Sequence, residues 1–204
     1  MTLARLIILF FLFSNSIFAQ SDHIQYSIEY CLSRTANTDN IGGNFEPALG
    51  TSILARVGLG RKQNLKYTIG LGYLESHIIF RDITGMQSYR DEERYYYIKH
   101  FIIPAGIKFI LGSFYIHPEI GGSYNYSIKS KSYLVDSEMN RLDGIYSEYK
   151  SSNPFEINFT SLLTLGYEFK IGSIVMISGV SGYLALNPDF LNTYGIGLLI
   201  GLRI

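Results

Sequence analysis

Seven ionisable side chains fall where a two-residue alternation turns them the same way: Glu29, Arg56, Lys108, Glu119, Glu156, Glu168 and Arg203. His117 stands two residues before Glu119 and shares its face in an extended chain. Enclosed in a narrow interior, a charge without a partner is costly, so the set is expected to pair across the enclosed space. Its chemistry is then that of a polar plug; the sharper alternative is a path for ions or protons. His117 with Glu119 offers an acid–base pair or one weak metal contact, which fills too few roles for a site.

A nucleophilic site needs a Ser, a His base and an orienting acid within reach of one another. Glu75-Ser76-His77 is where all three types adjoin. Neighbours on a strand point to opposite faces, so Ser76 and His77 do not meet there. The remaining histidines, His23 and His100, complete no metal-ligand spacing with His77 and His117. The expectation is a protein without catalytic residues, metal or cofactor. An envelope enzyme of the lipid A deacylase or acyltransferase type is the rival class. Binding is the third class. Segments 80–96 and 129–154 mix charges with Tyr95, Tyr96, Tyr133, Tyr146 and Tyr149, and loops on a rigid scaffold commonly carry recognition of a protein partner.

The elements that carry these residues are strands. Ile24, Tyr26, Ile28, Tyr30 and Leu32 alternate with Gln25, Ser27, Glu29, Cys31 and Ser33. At the far end Tyr194, Ile196, Leu198, Ile200, Leu202 and Ile204 alternate with Gly195, Gly197, Leu199, Gly201 and Arg203. Between them the same pattern runs over 49–59, 67–74, 100–109, 114–126 and 155–169, and a further strand, its faces unassigned, falls around 174–186. Tight turns are expected near 60–66, 112–113 and 170–173. Long polar connections are expected at 34–47, 80–96 and 129–154, with a shorter one at 187–192. Short turns at one rim and longer loops at the other, around eight antiparallel strands, describe an up-and-down transmembrane β-barrel.

Composition agrees. The 204 residues are 47% hydrophobic and only 17% charged, with 20 Gly, 17 Tyr and 13 Phe. Lys+Arg and Asp+Glu balance at 17 each, which gives no electrostatic footprint for nucleic acid. The lone cysteine, Cys31, cannot form an intramolecular disulfide and is expected to pack inside. Residues 1–19 read as a signal peptide: Arg5, the apolar run Leu6–Phe13, then a polar stretch ending at Ala19. That run is shorter than the ~20 residues a membrane helix needs. Residues 20–204 form one domain.

A soluble periplasmic barrel for a lipophilic ligand also alternates, with its apolar face inward. The opposite face here is Gly, Ser and Thr with scattered charges, which suits a narrow filled lumen. The apolar face carries aromatics near strand ends, among them Tyr67 and Tyr73, Phe101 and Phe109, Phe114 and Tyr126, as two interfacial girdles would.

Residues Tyr97-Ile98-Lys99-His100-Phe101-Ile102-Ile103-Pro104-Ala105-Gly106-Ile107-Lys108-Phe109 resemble the tyrosine-x-x-(I/L)-P-x-x-(L/I)-K-(Y/F) strand of the PorT-like outer-membrane β-barrel family, common in Bacteroidetes. Phe114 to Gly122 resembles that family's next strand, and Gly195 to Ile204 its closing strand. The resemblance implies an outer-membrane location in contact with its lipid. It also implies a structural or surface-interaction role, some members of the family supporting protein secretion.

Overall fold

The computed structural model describes residues 24–37, 44–60, 64–82, 91–135, 147–150, 156–172, 174–186 and 192–204. The expected signal peptide, 1–19, lies outside the described residues. Strands run β1 Ile24–Asn37, β2 Asn44–Leu59, β3 Leu65–Asp82, β4 Asp91–Leu111, β5 Phe114–Val135, β6 Ser147–Lys150, β7 Glu156–Ile171, β8 Ile174–Leu186 and β9 Thr193–Arg203.

Each strand pairs antiparallel with its neighbours, and β1 closes on β9 from Ser27↔Arg203 to Asn37↔Thr193. Tyr26 and Ile204 extend the seam by exchanging both backbone hydrogen bonds, at 3.1 and 2.9 Å. Along one edge β5 pairs first with β7, from Phe114↔Tyr167 to Asn125↔Glu156, and then with β6, from Lys129↔Lys150 to Ser132↔Ser147. β6 thus continues the β7 position higher up, and the wall is a ring of eight. Below β6, which pairs with β5 alone among the described residues, closure leaves every strand paired on both sides, as a bilayer demands of a sheet.

Two expected tight turns fall at Leu111↔Phe114 and Ile171↔Ile174, while residues 61–63 of the expected turn at 60–66 lie outside the described residues. Gly112 and Gly172 sit at φ of 66° and 61°, where a Cβ would be strained, and so allow two-residue reversals. The unassigned strand is β8, with Ile177, Ser181, Tyr183 and Ala185 buried inward. The expected long connections need correction. β1 and β2 run on to Asn37 and back to Asn44, β3 and β4 to Asp82 and Asp91, and β5 to Val135. Crossing a bilayer takes about 9–11 tilted residues; β3, β4 and β5 have 18, 21 and 22. By contrast β8 and β9 have 13 and 11. The barrel is therefore tall on one side.

Outward side chains make the apolar surface. Ile196, Leu198 and Ile200 on β9 are 61–72% exposed. Leu163 and Leu165 on β7, Ile103 on β4 and Ile120 on β5 stand out in the same way. Inward, two tyrosines fill the room that glycines leave across the pair. The Tyr115 ring lies over Gly166, where a Cβ would come within 2.2 Å of it, and Tyr183 lies over Gly195.

Candidate functional site

The lumen brings together the charges that alternation turned inward. Arg56 on β2 is 2% exposed and holds two carboxylates. Its Nε donates to Glu119 Oε1 at 2.8 Å and its Nη2 to Oε2 at 2.5 Å, a bidentate fork from β2 to β5. Its Nη1 lies 2.7 Å from Glu29 Oε2 on β1, an ion pair out of hydrogen-bond alignment. Ser27 donates to the other Glu29 oxygen at 3.2 Å. His117 Nε2 is 2.7 Å from Thr68 Oγ1 and 3.5 Å from Glu119 Oε1. Lower in the lumen, Lys108 and Arg203 both donate to Glu168, and the Lys108 ammonium lies 3.8 Å over the Tyr115 ring. Lys66, on β3 beside Lys108, donates to the Gly60 carbonyl at 2.9 Å.

All the expected lumen residues with described side chains therefore meet: Glu29, Arg56, Lys108, His117, Glu119, Glu168 and Arg203. The Glu156 side chain lies outside the described residues. Three cations, Arg56, Lys108 and Arg203, face three carboxylates, and the fourth buried cation, Lys66, is held by the Gly60 carbonyl. The cleft lined by this network, including Gln25, Lys66 and Thr68, leaves about 20 Å³, room for one water. At this level, among the described residues, the lumen is filled.

The lumen is not polar throughout, which refines the expected picture. Leu54, Leu74, Ile102, Leu162 and Tyr183 form one buried cluster against the charges. Cys31, Tyr115, Ile177 and Leu199 form another, with Cys31 packed inside as expected. Sequence alternation alone missed them, because Leu54, Ile102 and Leu199 interrupt the polar face as single residues. Higher up the tall side, Ile78, Ile98 and Ile128 make a third cluster, with Tyr96 against it.

Ser76 and His77 part as alternation requires. Ser76 points inward, 2.6 Å from the Tyr183 hydroxyl, while His77 faces out, 3.0 Å from Glu75 Oε1. No Ser–His dyad forms between them. Among the described residues no group of three or more His, Cys, Asp or Glu side chains has the arrangement to hold a metal ion.

Outside, Tyr73, Phe101 and Tyr124 lie side by side across β3, β4 and β5 in one cross-strand row. Below that row the outward side chains of β4 are Ile103, Ala105, Ile107 and Phe109; above it they are Lys99, Tyr97 and Tyr95. The row is thus the upper aromatic girdle. The outward run from Phe101 to Leu111 spans roughly 25–30 Å at a typical strand rise and tilt, the height of a bilayer's apolar band. An apolar outside around a charged, filled inside is the surface of a barrel that sits in lipid.

No family model matches the chain, and no curated protein matches it. Solved structures of similar shape do. The crystal structure of Ail, the attachment invasion locus protein of Yersinia pestis, in complex with the heparin analogue sucrose octasulfate matches with a TM-score of 0.49 at 11% identity, over 89% of this chain and 98% of that one. Neisserial surface protein A matches at 0.39 and 13%, over 89% and 96%. The outer membrane protease OmpT from Escherichia coli matches at 0.47 and 8%, over 90% and 97%. At such identities and TM-scores the likeness is one of architecture and says nothing of role.

Proposed function

We propose that this chain is an integral outer-membrane β-barrel with a structural or surface-interaction role. It is exported by a signal peptide cleaved after Ala19 and stands in the envelope as PorT-like barrels do. The observation that carries the reading is the asymmetry of the wall. A barrel that served only to seal a membrane needs no strands of 21 and 22 residues. Here the upper ends of β3, β4 and β5, residues 75–82, 91–99 and 127–135, form a rigid support clear of the bilayer, where a protein partner of a secretion or envelope complex can reach it. The filled lumen and the separation of Ser76 from His77 favour this role over transport or lipid hydrolysis.

Gel mobility of the detergent-extracted protein, with and without boiling, tests the membrane reading. A boiling-dependent shift in the outer-membrane fraction supports it. A soluble periplasmic protein without a shift overturns it and makes a lipophilic-ligand barrel the leading reading. The interaction role is tested by replacing residues 136–146 with a short Gly-Ser link. Loss of a co-purifying envelope protein, with the heat shift intact, supports the role; an unchanged set of co-purifying proteins overturns it.

A further inference from the structure

The outward face above the girdle is ordered in rows. From the row Tyr73–Phe101–Tyr124, cross-strand pairing steps up to Glu75–Lys99–Ser127, then His77–Tyr97–Lys129, then Ile79–Tyr95–Lys131. Three lysines therefore stand within three rows of the apolar band on adjoining strands. Glu75 is the carboxylate these rows contain, and it is already engaged: Tyr73 donates to its Oε2 at 2.5 Å, His77 Nε2 lies 3.0 Å from its Oε1, and Lys99 Nζ is 3.7 Å from the same oxygen. The third row is flanked by a carboxylate on each side, Glu46 on β2 opposite Ile79 and Glu148 on β6 opposite Lys131, and Glu93, which is buried, lies one row further up. Tyr97 packs edge-on against His77, with ring centroids 5.0 Å apart, and Tyr95 against Tyr133 at 5.7 Å. The lysines thus rise from a surface of braced aromatic rings.

We infer that this face of β3–β5 binds phosphate-bearing lipid headgroups of the leaflet on the loop side, with Lys99, Lys129 and Lys131 as the phosphate contacts and Tyr95 and Tyr97 packing against the headgroup. The inference rests on the membrane reading above and names the lipid class that the tall wall selects. Two features favour a lipid over a protein occupant. The patch is continuous with the apolar band: Phe101, Ile103 and Ile120 lie on the same strands directly beneath it, so a molecule with a charged head and acyl chains matches both at once. The cation excess lies in the first two rows above the girdle, where Lys99 and Lys129 stand against Glu75 at headgroup depth, and each lysine near an anionic surface is worth about a fivefold preference. The opposite wall lacks such a cluster: outward β9 is Tyr194, Ile196, Leu198, Ile200 and Leu202 along its length, and Arg34 of β1 stands beside Ile196 as an isolated exposed cation.

The test uses the full mature barrel in phosphatidylcholine vesicles, with spin-labelled lipids reporting the fraction immobilised on the protein. Labelled phosphatidylglycerol and diphosphoryl lipid A are compared with labelled phosphatidylcholine. The anionic lipids are expected to be favoured several-fold. The preference should shrink in 1 M salt, fall stepwise by up to about fivefold per lysine through Lys99→Gln, Lys129→Gln and Lys131→Gln, and survive Lys170→Gln at the opposite rim. Vesicle flotation and the boiling shift are read on every sample. A barrel that floats and shifts yet takes anionic and zwitterionic lipids equally, or keeps its preference in the triple variant, overturns the patch alone. A wild-type protein that does not float overturns the membrane reading and the patch with it.

Discussion

Below and above the Tyr73–Phe101–Tyr124 row, the same strands obey opposite rules. Below it, the outside is apolar and the inside holds the charges of Arg56, Glu119, Lys108 and Glu168. Above it, Ile78, Ile98 and Ile128 are buried inside while Lys99, Lys129, Lys131 and three tyrosines face out. The backbone alternation runs through the boundary; what changes is the medium outside. In lipid the wall can expose only apolar groups, so polar groups go inward and must satisfy one another. In water the wall returns to the ordinary pattern of a soluble sheet. One β-ladder thus serves two solvents, and the row where its polarity reverses marks the interface between them.

The largest effect should come from breaking the inside of the lower section. Arg56→Ala leaves Glu29 and Glu119 buried without their cation and is expected to cost about 3–5 kcal/mol in urea unfolding from lipid vesicles. Glu29→Leu and Glu119→Leu combined with Arg56→Met should restore much of that loss, because pairing, not charge itself, is what the lower lumen requires.

Next comes the outside. Leu198→Arg, in the apolar band of β9, should cost about 2–4 kcal/mol. Ser127→Arg, one row above the girdle on β5, should stay within about 0.5 kcal/mol in the same assay. Equal costs at the two positions would abolish the boundary. Gly166→Val drives a side chain into the Tyr115 ring and should cost about 1–3 kcal/mol. Smallest of all, Glu75→Gln breaks a partly exposed ion pair above the girdle and should shift stability by less than about 1 kcal/mol. Conductance in planar bilayers at background level would agree with the plugged lower lumen, and a steady open current would contradict it.

The boundary also explains what the sequence made legible. Below it, apolar-outside alternation is unbroken over Phe101–Phe109 and Phe114–Ile120, so strands, faces and the lumen charges could be read from residue types alone. Above it the phase of the pattern inverts. Lys99, Tyr97 and Tyr95 take outward positions that lipid-facing logic assigns to apolar residues, and the part of β4 up to Tyr96 reads as the polar loop 80–96. A register irregularity at Lys99/His100 on β4 and β5 further disturbs the period there. β6, four residues long and separated from β7 by residues 151–155, carries no periodic signal at all. Which inward charges would pair was equally hidden. Arg56 and Glu119 lie 63 residues apart, and ring closure alone brings them together.

That closure also makes the strand order circular. Tyr26 and Ile204 bond to each other as any two ladder residues would, so nothing in the finished wall distinguishes the first strand from the last. Joining the chain ends across this seam and opening it at Gly112–Ser113 would renumber every strand and alter no pairing. Precedence among the eight belongs to the history of assembly; the completed cylinder keeps no record of it.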